Sequence, residues 1–451
     1  MRCIITVAAL LLSCAALQAA AATYDYKKLL QMSLLFYEAQ RSGKLPSDQK
    51  VKWRHDSALN DKGIHGEDLT GGYYDAGDFV KFNFPMAFST TLLAWSVLDH
   101  KKGYEKANAL EDGRKAVKWA TDYFLKCHVS EFELYGQVGE GTVDHIYWTL
   151  PEDMPYKRNA FMITAKAPGS DLAAETAAAM AASYLVFKDV DSKYASTLLT
   201  HAKQLMNFAV KYLGKYSDSI ADANKFYMSS SYQDELVWGA AWLYRATKDK
   251  SYLDIINKYW PVIMYWDGFD WDNKKSGAEV ILYMTTRDDK YRERVKSYCD
   301  NTFFKTPKTP KGLLLTNAGG NLRSNANAML VCSEAANLGI EASSYRPLIK
   351  QQVGYYVGDT GFSYVVGFGN KYPRYAHHRS SSCPDHPAKC GWDFFNSNTP
   401  NHHIVDGALV GGPNASDYYF DTRKDATHNE VTCDNNAGYH GVLVNLIELE
   451  G

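Results

Sequence analysis

Apolar residues recur at helical spacing along most of the chain. Tyr26, Leu30, Leu34 and Tyr37 lie three or four positions apart, and Gly43 follows as a C-terminal cap, which predicts a first helix. Similar periodicity recurs at roughly 86–100, 109–127, 171–187, 192–212, 232–246, 250–260, 275–286, 289–305, 321–338, 342–357 and 436–450. The pattern therefore predicts about twelve helices and an all-α class.

One of these segments is unusually rich in alanine. Residues 171–187 read DLAAETAAAMAASYLVF, and Ser170 or Asp171 can cap the start. Small side chains on every side predict a buried helix that neighbouring helices approach closely. The strand signal is weak and is strongest at 362–368.

Four long stretches show no helical periodicity: 44–84, 129–170, 215–230 and 358–435. Irregular segments of this length in a compact domain are usually functional loops. We therefore expect these segments to contain most of the chemistry of the protein.

The first 22 residues resemble a secretory signal peptide. Arg2 precedes an apolar run, and small alanines suited to cleavage follow Gln18. No later stretch approaches the roughly 20 apolar residues of a membrane-spanning helix. We expect residues 1–22 to be removed, and residues 23–451, which no linker-like tract divides, to form one secreted domain.

Charge and cysteine content narrow the function classes. The net charge is −2, and no run of Lys and Arg is visible, which argues against a nucleic-acid partner. Six cysteines follow the predicted signal peptide: Cys127, Cys299, Cys332, Cys383, Cys390 and Cys433. An even count in an exported chain predicts disulfide bonds, and Cys383 and Cys390 could close a short loop. A zinc site is the alternative, although no paired CxxC spacing supports it.

The segment 68–86, DLTGGYYDAGDFVKFNFPM, offers the clearest candidate chemistry. Asp75 and Asp78 lie three positions apart between glycines, and aromatic residues flank them. A carboxylate buried among rings has a raised pKa and can take a proton from water, as a general base does. The alternative is a pair of Asx-turns in which both side chains cap backbone amides.

A second carboxylate, Glu430, lies beside Asn429 just before the last predicted helix. Acetal hydrolysis needs an acid for the leaving oxygen and a base for water, so two carboxyls that meet in a cleft suffice. The alternative is that Glu430 only lies in the first turn of the last helix, where the helix dipole favours a negative side chain.

Other polar residues could contact a ligand. His377, His378 and Arg379 follow a glycine-rich turn and could donate hydrogen bonds to hydroxyls, and His145 has the same character. A surface loop remains the alternative for them.

A cluster of oxygen-bearing residues lies at a predicted helix start. Ser230, Ser231, Asp234 and Glu235 could form a helix cap or a site for a hard cation such as calcium. The sequence pattern alone favours the cap.

With these residues identified, the chain resembles an animal-type member of glycoside hydrolase family 9, the inverting cellulases. The stretches that carry the resemblance are GGYYDAGDFVKFNFPMAF, FYEAQRSGKLP, PGSDLAAETAAA, SYQDELVWGAAWLYRAT, SYVVGFG followed by HHR, and NEV with NNAG. They extend over nearly the whole mature sequence.

The resemblance implies an (α/α)6 barrel with an open cleft and endo-hydrolysis of β-1,4-glucan with inversion. Asp78 is then the general base, Asp75 helps to hold the water, and Glu430 is the general acid. The implied substrate-binding residues are Tyr74, His145, Trp271, His377 and Arg379. A structural Ca²⁺ near Asp234 and Glu235 is implied, with Ser230, Ser231 and a nearby aspartate such as Asp272 as further ligands, whereas the chemistry itself requires no cofactor. We expect a monomer that acts on soluble or amorphous chains.

The chain also departs from the family pattern. Asn435 and Ala426 occupy positions that are usually aromatic, Gly319 replaces a common tryptophan, and Ala376 replaces a proline. These changes bear on subsites more than on the acid–base pair. Two alternatives stay open: hydrolysis of mixed-linkage β-glucan or another β-1,4-linked polymer, and a sugar-binding protein that has lost catalysis.

Overall fold

The structure is a computed structural model that describes residues 24–317 and 319–450. The predicted signal peptide, residues 1–22, lies outside the described residues.

Twelve long helices form the framework of the described chain. They are α1 Tyr26–Ala39, α2 Asn83–Asp99, α3 Leu110–Cys127, α4 Ser170–Phe187, α5 Ser192–Lys211, α6 Gln233–Thr247, α7 Ser251–Ile263, α8 Lys275–Thr286, α9 Asp289–Asp300, α10 Asn321–Asn337, α11 Ala342–Val357 and α12 Cys433–Leu449. Each overlaps a predicted helix, and the termini agree to within a few residues, apart from the end of α9. There the prediction ran on to 305, and a separate π-helical turn covers Asn301–Lys305.

Six helices form a closed inner ring. The even-numbered helices contact one another in order, α2 to α4, α6, α8, α10 and α12, and α12 contacts α2 again. The odd-numbered helices pack outside them: α3 on α2, α5 on α4, α7 on α6, α9 on α8, α11 on α10 and α1 on α12. The architecture is the predicted (α/α)6 barrel.

Burial follows this arrangement. Residues 170–183 of α4 are all buried, whereas the neighbouring outer helix α5 buries only one stripe, which includes Leu198, Leu205 and Phe208. A helix without a polar face belongs in the interior, and an amphipathic helix belongs at the surface. The alanines of α4 also permit the expected close approach, since the Ala174 carbonyl oxygen lies 2.7 Å from where a Cβ on Gly239 of α6 would stand.

A small antiparallel sheet was not predicted. Its strands are β1 Lys81–Phe82, β2 His128–Ser130, β3 Glu133–Val138 and β4 Ala160–Thr164, and β3 pairs with the other three. Strands of two to six residues are too short to show a period of two in the sequence. The stretch with the strand signal, 362–368, makes a single bridge, between Val365 and Leu409.

Short helical turns occupy the remaining segments. They are Lys101–Lys106, Gly141–Asp144, Pro151–Asp153, Tyr216–Ser219, Ala223–Lys225, Arg379–Ser382, Trp392–Asn396 and Ala426–Asn429. Among the helices in the described ranges, none is long and apolar enough to cross a membrane.

Two disulfide bonds are present in the described chain. Cys383 bonds to Cys390, as the sequence suggested, and Cys299 of α9 bonds to Cys332 of α10. Cys127 and Cys433 are buried free thiols. An even count of cysteines therefore does not mean that every cysteine is paired.

Candidate active site

The candidate residues gather where the inner helices begin. Asp75 and Asp78 precede α2, Glu430 precedes α12, and Asp234 lies in the first turn of α6. Because inner and outer helices alternate along the chain, all six inner helices start at the same end of the barrel. The long irregular segments connect at this end, so distant parts of the sequence meet there.

Asp75 and Asp78 occupy a buried turn. Their residues are 5% and 6% exposed, and the turn is fixed by a bond from the Asp75 backbone N–H to the Val80 carbonyl at 3.0 Å. The Tyr227 hydroxyl donates to Asp75 Oδ2 at 2.5 Å. One Asp78 oxygen accepts from the Ala76 backbone N–H at 3.2 Å, and the other lies 3.9 Å from His145 Nε2.

Glu430 lies against the same turn. Its segment pairs with that of His377 through a parallel bridge, and three residues further on the Cys433 backbone N–H donates to the Asp75 carbonyl at 2.9 Å. Gly77 lies between the two aspartates. The His377 carbonyl oxygen is 2.3 Å from where a Cβ on residue 77 would stand. Only glycine therefore allows this approach between the segments.

The surroundings of Glu430, Asp78 and Asp75 shift the pKa of each carboxyl for different reasons. Burial, followed by the negative charge of Asp78, raises the pKa of Glu430 to about 8. Burial, followed by the charge of Asp144, also raises the pKa of Asp78, but His145 and Arg379 oppose this shift. The pKa of Asp75 is raised well above its usual value by burial and by Asp78. Glu430, with a pKa of about 8, is therefore mostly protonated at neutral pH, and the nearby Arg379 guanidinium favours the carboxylate form of Asp78.

Arg379 is held by a buried carboxylate that the sequence analysis did not identify. Its Nη1 donates to Asp144 Oδ2 at 2.6 Å, and the backbone N–H of Phe79 and the hydroxyl of Tyr156 donate to the other oxygen of Asp144. The guanidinium also lies over the rings of Phe79 and Trp148. The adjacency of Asp144 to His145 is the only sequence signal that could have pointed to it.

His377 and His145 each use one ring nitrogen, Nδ1, to bond a backbone carbonyl. His377 Nδ1 donates to the Arg423 carbonyl at 2.5 Å, and burial lowers the pKa of His377 to about 4, so its ring is neutral. His145 Nδ1 bonds the Gly141 carbonyl at 2.6 Å, and its ring stacks on Phe226. Neither Nε2 atom forms a hydrogen bond with any described residue, although that of His145 lies 3.9 Å from Asp78, so both can face a ligand.

The predicted aromatic contacts divide into two cases. Trp271 packs edge-on against Tyr227 at 4.9 Å between ring centroids, and this contact connects Trp271 to Asp75. Tyr74 is 1% exposed, its hydroxyl pairs with Ser57, and its ring lies between Arg54 and Arg158. Tyr74 therefore supports the loop and offers no face to a ligand. Tyr227 had not been predicted, because a lone tyrosine in an irregular segment has no distinguishing pattern.

The predicted cation cluster lies at the start of α6 and next to Trp271. Asp234 Oδ2 accepts from the Lys274 backbone N–H at 2.8 Å, and Glu235 Oε1 lies 3.1 Å from Lys274 Nζ. The second oxygen of each carboxylate is buried and has no hydrogen-bond partner among the described residues. Ser230 donates its backbone N–H to Asp272 Oδ1 at 2.8 Å. Unpaired buried carboxylate oxygens fit a hard cation such as calcium.

The oxygens of Ser231 are engaged differently. Its hydroxyl bonds the Gln233 side chain, and its carbonyl accepts from the Ser229 hydroxyl at 2.6 Å. Ser231 therefore has less capacity for a cation than Asp234 and Glu235.

A second group could also hold a metal. Ligand atoms of Asp78, Asp144 and His145 lie within 4.8 Å of one another. Since Asp144 already accepts from Arg379, Phe79 and Tyr156, its oxygens are better satisfied than those of Asp234 and Glu235.

Carboxyls with raised pKa values at the loop end of an (α/α)6 barrel are typical of a glycoside hydrolase. Comparison with known proteins gives the family. The model of glycosyl hydrolase family 9 matches residues 26–443. This chain belongs to glycosyl hydrolase family 9.

Individual relatives agree with this assignment. The structure of an endoglucanase from the termite Nasutitermes takasagoensis superposes with a TM-score of 0.94 at 55% identity, over 95% of this chain and 100% of that one. The cellulase Cel9M of C. cellulolyticum, solved with cellobiose, gives 0.87 at 30% identity over 95% and 100%. Endoglucanase A of Bacillus pumilus is 42% identical over 95% of this chain and 67% of its own length. The chain is a family 9 endoglucanase, and the family inverts the anomeric configuration.

Proposed function

We propose that Asp78 is the general base and Glu430 the general acid of an endo-hydrolysis of internal β-1,4-glucosidic bonds in cellulose and related soluble β-glucans. The observation that carries these roles is the place of Glu430, whose pKa is raised to about 8, on the segment whose Cys433 N–H bonds the carbonyl of Asp75. A protonated acid thereby lies next to the carboxylates that can take a proton from water.

The reaction follows from these protonation states. Glu430 gives its proton to the glycosidic oxygen as the bond from that oxygen to the anomeric carbon breaks. A water molecule attacks the same carbon from the opposite face, and Asp78 takes the proton that the water releases. Inversion requires the two carboxyls to stand roughly 6.5–9.5 Å apart, so that the water fits between sugar and base.

Asp75 has the role of orienting the water. Tyr227 bonds Asp75 Oδ2, whereas Oδ1 is buried without a hydrogen-bond partner among the described residues. An oxygen with a free lone pair can accept a hydrogen bond from water. The proposed contacts to the glucan chain come from His145, His377, Arg379 and Trp271. That the C. cellulolyticum relative was solved with cellobiose supports a β-glucan ligand.

The test is the release of reducing ends from soluble carboxymethyl-cellulose. Asp78→Asn and Glu430→Gln keep the size of each side chain but remove its proton chemistry, so each should reduce turnover by about 10³-fold or more. Glu111→Gln, at an exposed site, is the matched control and should keep full activity. Binding of cello-oligosaccharides without cleavage by the unaltered protein would favour the sugar-binding alternative. If the protein cleaves a mixed-linkage glucan or another β-1,4-linked polymer faster than carboxymethyl-cellulose, that polymer is the preferred substrate.

We also propose a structural Ca²⁺ held by Asp234 and Glu235, with Ser230, Ser231 and Asp272 nearby. The ion would neutralise buried negative charge at the start of α6. Thermal unfolding with and without a chelator tests this, and Asp234→Asn should abolish any calcium-dependent rise in Tm. No rise in the unaltered protein would count against the site.

We also propose that the protein is secreted and monomeric. Residues 1–22 would direct export, so the mature N-terminus should lie at about residue 23. Sequencing of the secreted protein tests the first point, and light scattering tests the second. The two disulfide bonds support an oxidising compartment.

A further inference from the structure

An exposed tryptophan lies beside the candidate active site and has no part in the chemistry described above. Trp392 is 44% exposed, although it belongs to a tightly packed aromatic group with Trp148 and Phe395. The indole N–H of Trp392 is already satisfied, because Nε1 donates to the Ile146 carbonyl at 3.0 Å. What remains exposed is therefore ring surface rather than an unsatisfied donor.

Two independent contacts place Trp392 next to the site. Ile146, which accepts its N–H, directly follows His145, the residue whose Nε2 lies 3.9 Å from Asp78. On the other side, the ring of Trp148 lies 5.8 Å from that of Trp392 and 5.4 Å from that of His377. Trp392 thus lies near both histidines of the proposed binding set.

The loop that carries Trp392 and the rings packed against it are held in position by covalent and polar contacts. The Cys383–Cys390 disulfide closes the loop that leads from Arg379 to Trp392. Trp148 Nε1 donates to Ser382 Oγ at 2.9 Å, and Phe395 packs 4.8 Å from Trp148. A rigid exposed ring costs little conformational entropy on binding, which suits a ligand contact.

The neighbouring surface extends this face. Ile146 is 62% exposed, and Asp393, next to Trp392, is exposed as well. Exposed indole surface matches the apolar C–H face of a pyranose. These contacts differ from those that connect Trp271 to Asp75 through Tyr227.

We propose that Trp392 is a sugar-stacking platform that binds a glucose unit of the glucan away from the bond that is cleaved. This inference rests on the proposed function and names an additional binding position for the same substrate. A platform at this position contributes to the binding of long oligosaccharides more than to that of short ones, and so recognises chain length.

The experiment measures binding rather than turnover. In a Glu430→Gln background, calorimetry gives Kd for each oligosaccharide from cellobiose to cellohexaose, with and without Trp392→Ala. We expect Trp392→Ala to weaken cellohexaose binding by about five- to tenfold, and to change cellobiose binding by less than about twofold. Trp392→Phe, which keeps a ring, should recover most of the loss.

The controls separate this role from structural damage. Phe304→Ala removes another exposed ring, which contacts Phe303 outside the site, and should leave every Kd unchanged. An equal loss for all chain lengths would mean that Trp392 only supports His145 and His377, and no loss for any length would equally overturn the platform. If the parent Glu430→Gln protein binds none of the oligosaccharides, both the proposed function and the platform fail. If it binds them normally and only the effect of Trp392 is absent, the platform alone fails.

Discussion

The protonation of individual carboxyls sets the pH range in which the site works. The active form has a deprotonated Asp78 and a protonated Glu430. As pH falls through the raised pKa of Asp78, the base is lost, and as pH rises through about 8, Glu430 loses its proton. We expect a bell-shaped profile of kcat/KM whose alkaline limb lies near pH 8, measured on a soluble cello-oligosaccharide. A rate that rises steadily to high pH would contradict the assignment of Glu430 as the acid.

Tyr227 should affect catalysis through Asp75. Tyr227→Phe removes the hydroxyl that bonds Asp75 Oδ2 at 2.5 Å, and the loss of a hydrogen bond to a carboxyl costs about 1.5–3 kcal/mol. We expect kcat to fall by roughly tenfold or more, with little change in KM, because the change acts on the water rather than on sugar binding.

A matched control is available. Tyr73→Phe removes a buried hydroxyl that bonds the Ala116 carbonyl in α3, and should lower stability but not kcat. Equal kcat values for Tyr227→Phe and the unaltered protein would exclude a positioning role for Tyr227.

The sequence indicated the main residues of the site but not their supports. Asp75, Asp78, Glu430, His145 and Arg379 were recognisable because each belongs to a motif. Tyr227 and Asp144 act through contacts with residues distant in sequence, and no local pattern encodes such contacts. The burial of Tyr74 was equally hidden, since aromatic residues suit a cleft wall and a core alike.

Helices were predictable, and strands were not, for a physical reason. A helix of about 12 or more residues repeats its apolar stripe several times, so the period of 3.6 stands out against chance. The strands β1 to β4 are short and are stabilised by pairing with β3, an interaction between segments. The outcome for α4 illustrates the first case, because its alanines correctly indicated a helix enclosed by others.

The close packing of α4 against α6 predicts that a larger side chain at Gly239 destabilises the fold. Gly239→Ala would normally stabilise a helix interior by about 0.5–1 kcal/mol. Here the new Cβ would stand 2.7 Å from the Ala174 carbonyl oxygen and 3.1 Å from Met206 Sδ. Because a backbone atom cannot move aside cheaply, we expect a loss of roughly 1–3 kcal/mol in the free energy of unfolding. Chemical denaturation measures it, and a gain in stability would show that α4 and α6 can separate without cost.

At the scale of the whole molecule, the barrel closes through contacts between the two ends of the chain. The Tyr37 hydroxyl in α1 donates to the Cys433 carbonyl at the start of α12 at 2.8 Å. At the end of α2, His100 Nε2 lies 2.7 Å from Glu334 of α10, and His100 Nδ1 lies 2.7 Å from Glu448 of α12. Periodicity along the sequence predicts each helix but not this closure, since closure depends on residues that are hundreds of positions apart.

His100 therefore connects three inner helices, and its removal should destabilise the entire barrel. Burial alone would lower the pKa of His100, but Glu334 and Glu448 outweigh burial and raise the pKa to about 10. Because the folded pKa exceeds the unfolded value of 6.5, the charged histidine contributes its full stability below pH 6.5, and this contribution is lost as pH rises toward 10. His100→Gln leaves Glu334 buried without its cation, which costs roughly 3 kcal/mol.

Chemical denaturation at a series of pH values measures the difference between the unaltered protein and His100→Gln. We expect the difference to be greatest at about pH 6 and to shrink steadily toward pH 10. Lys101→Gln, at the neighbouring exposed residue, is the control and should change the free energy of unfolding by less than about 0.5 kcal/mol at every pH. A difference that does not vary between pH 6 and pH 10 would mean that His100 joins the helices as a neutral hydrogen-bonding group, and that closure of the barrel does not depend on its charge.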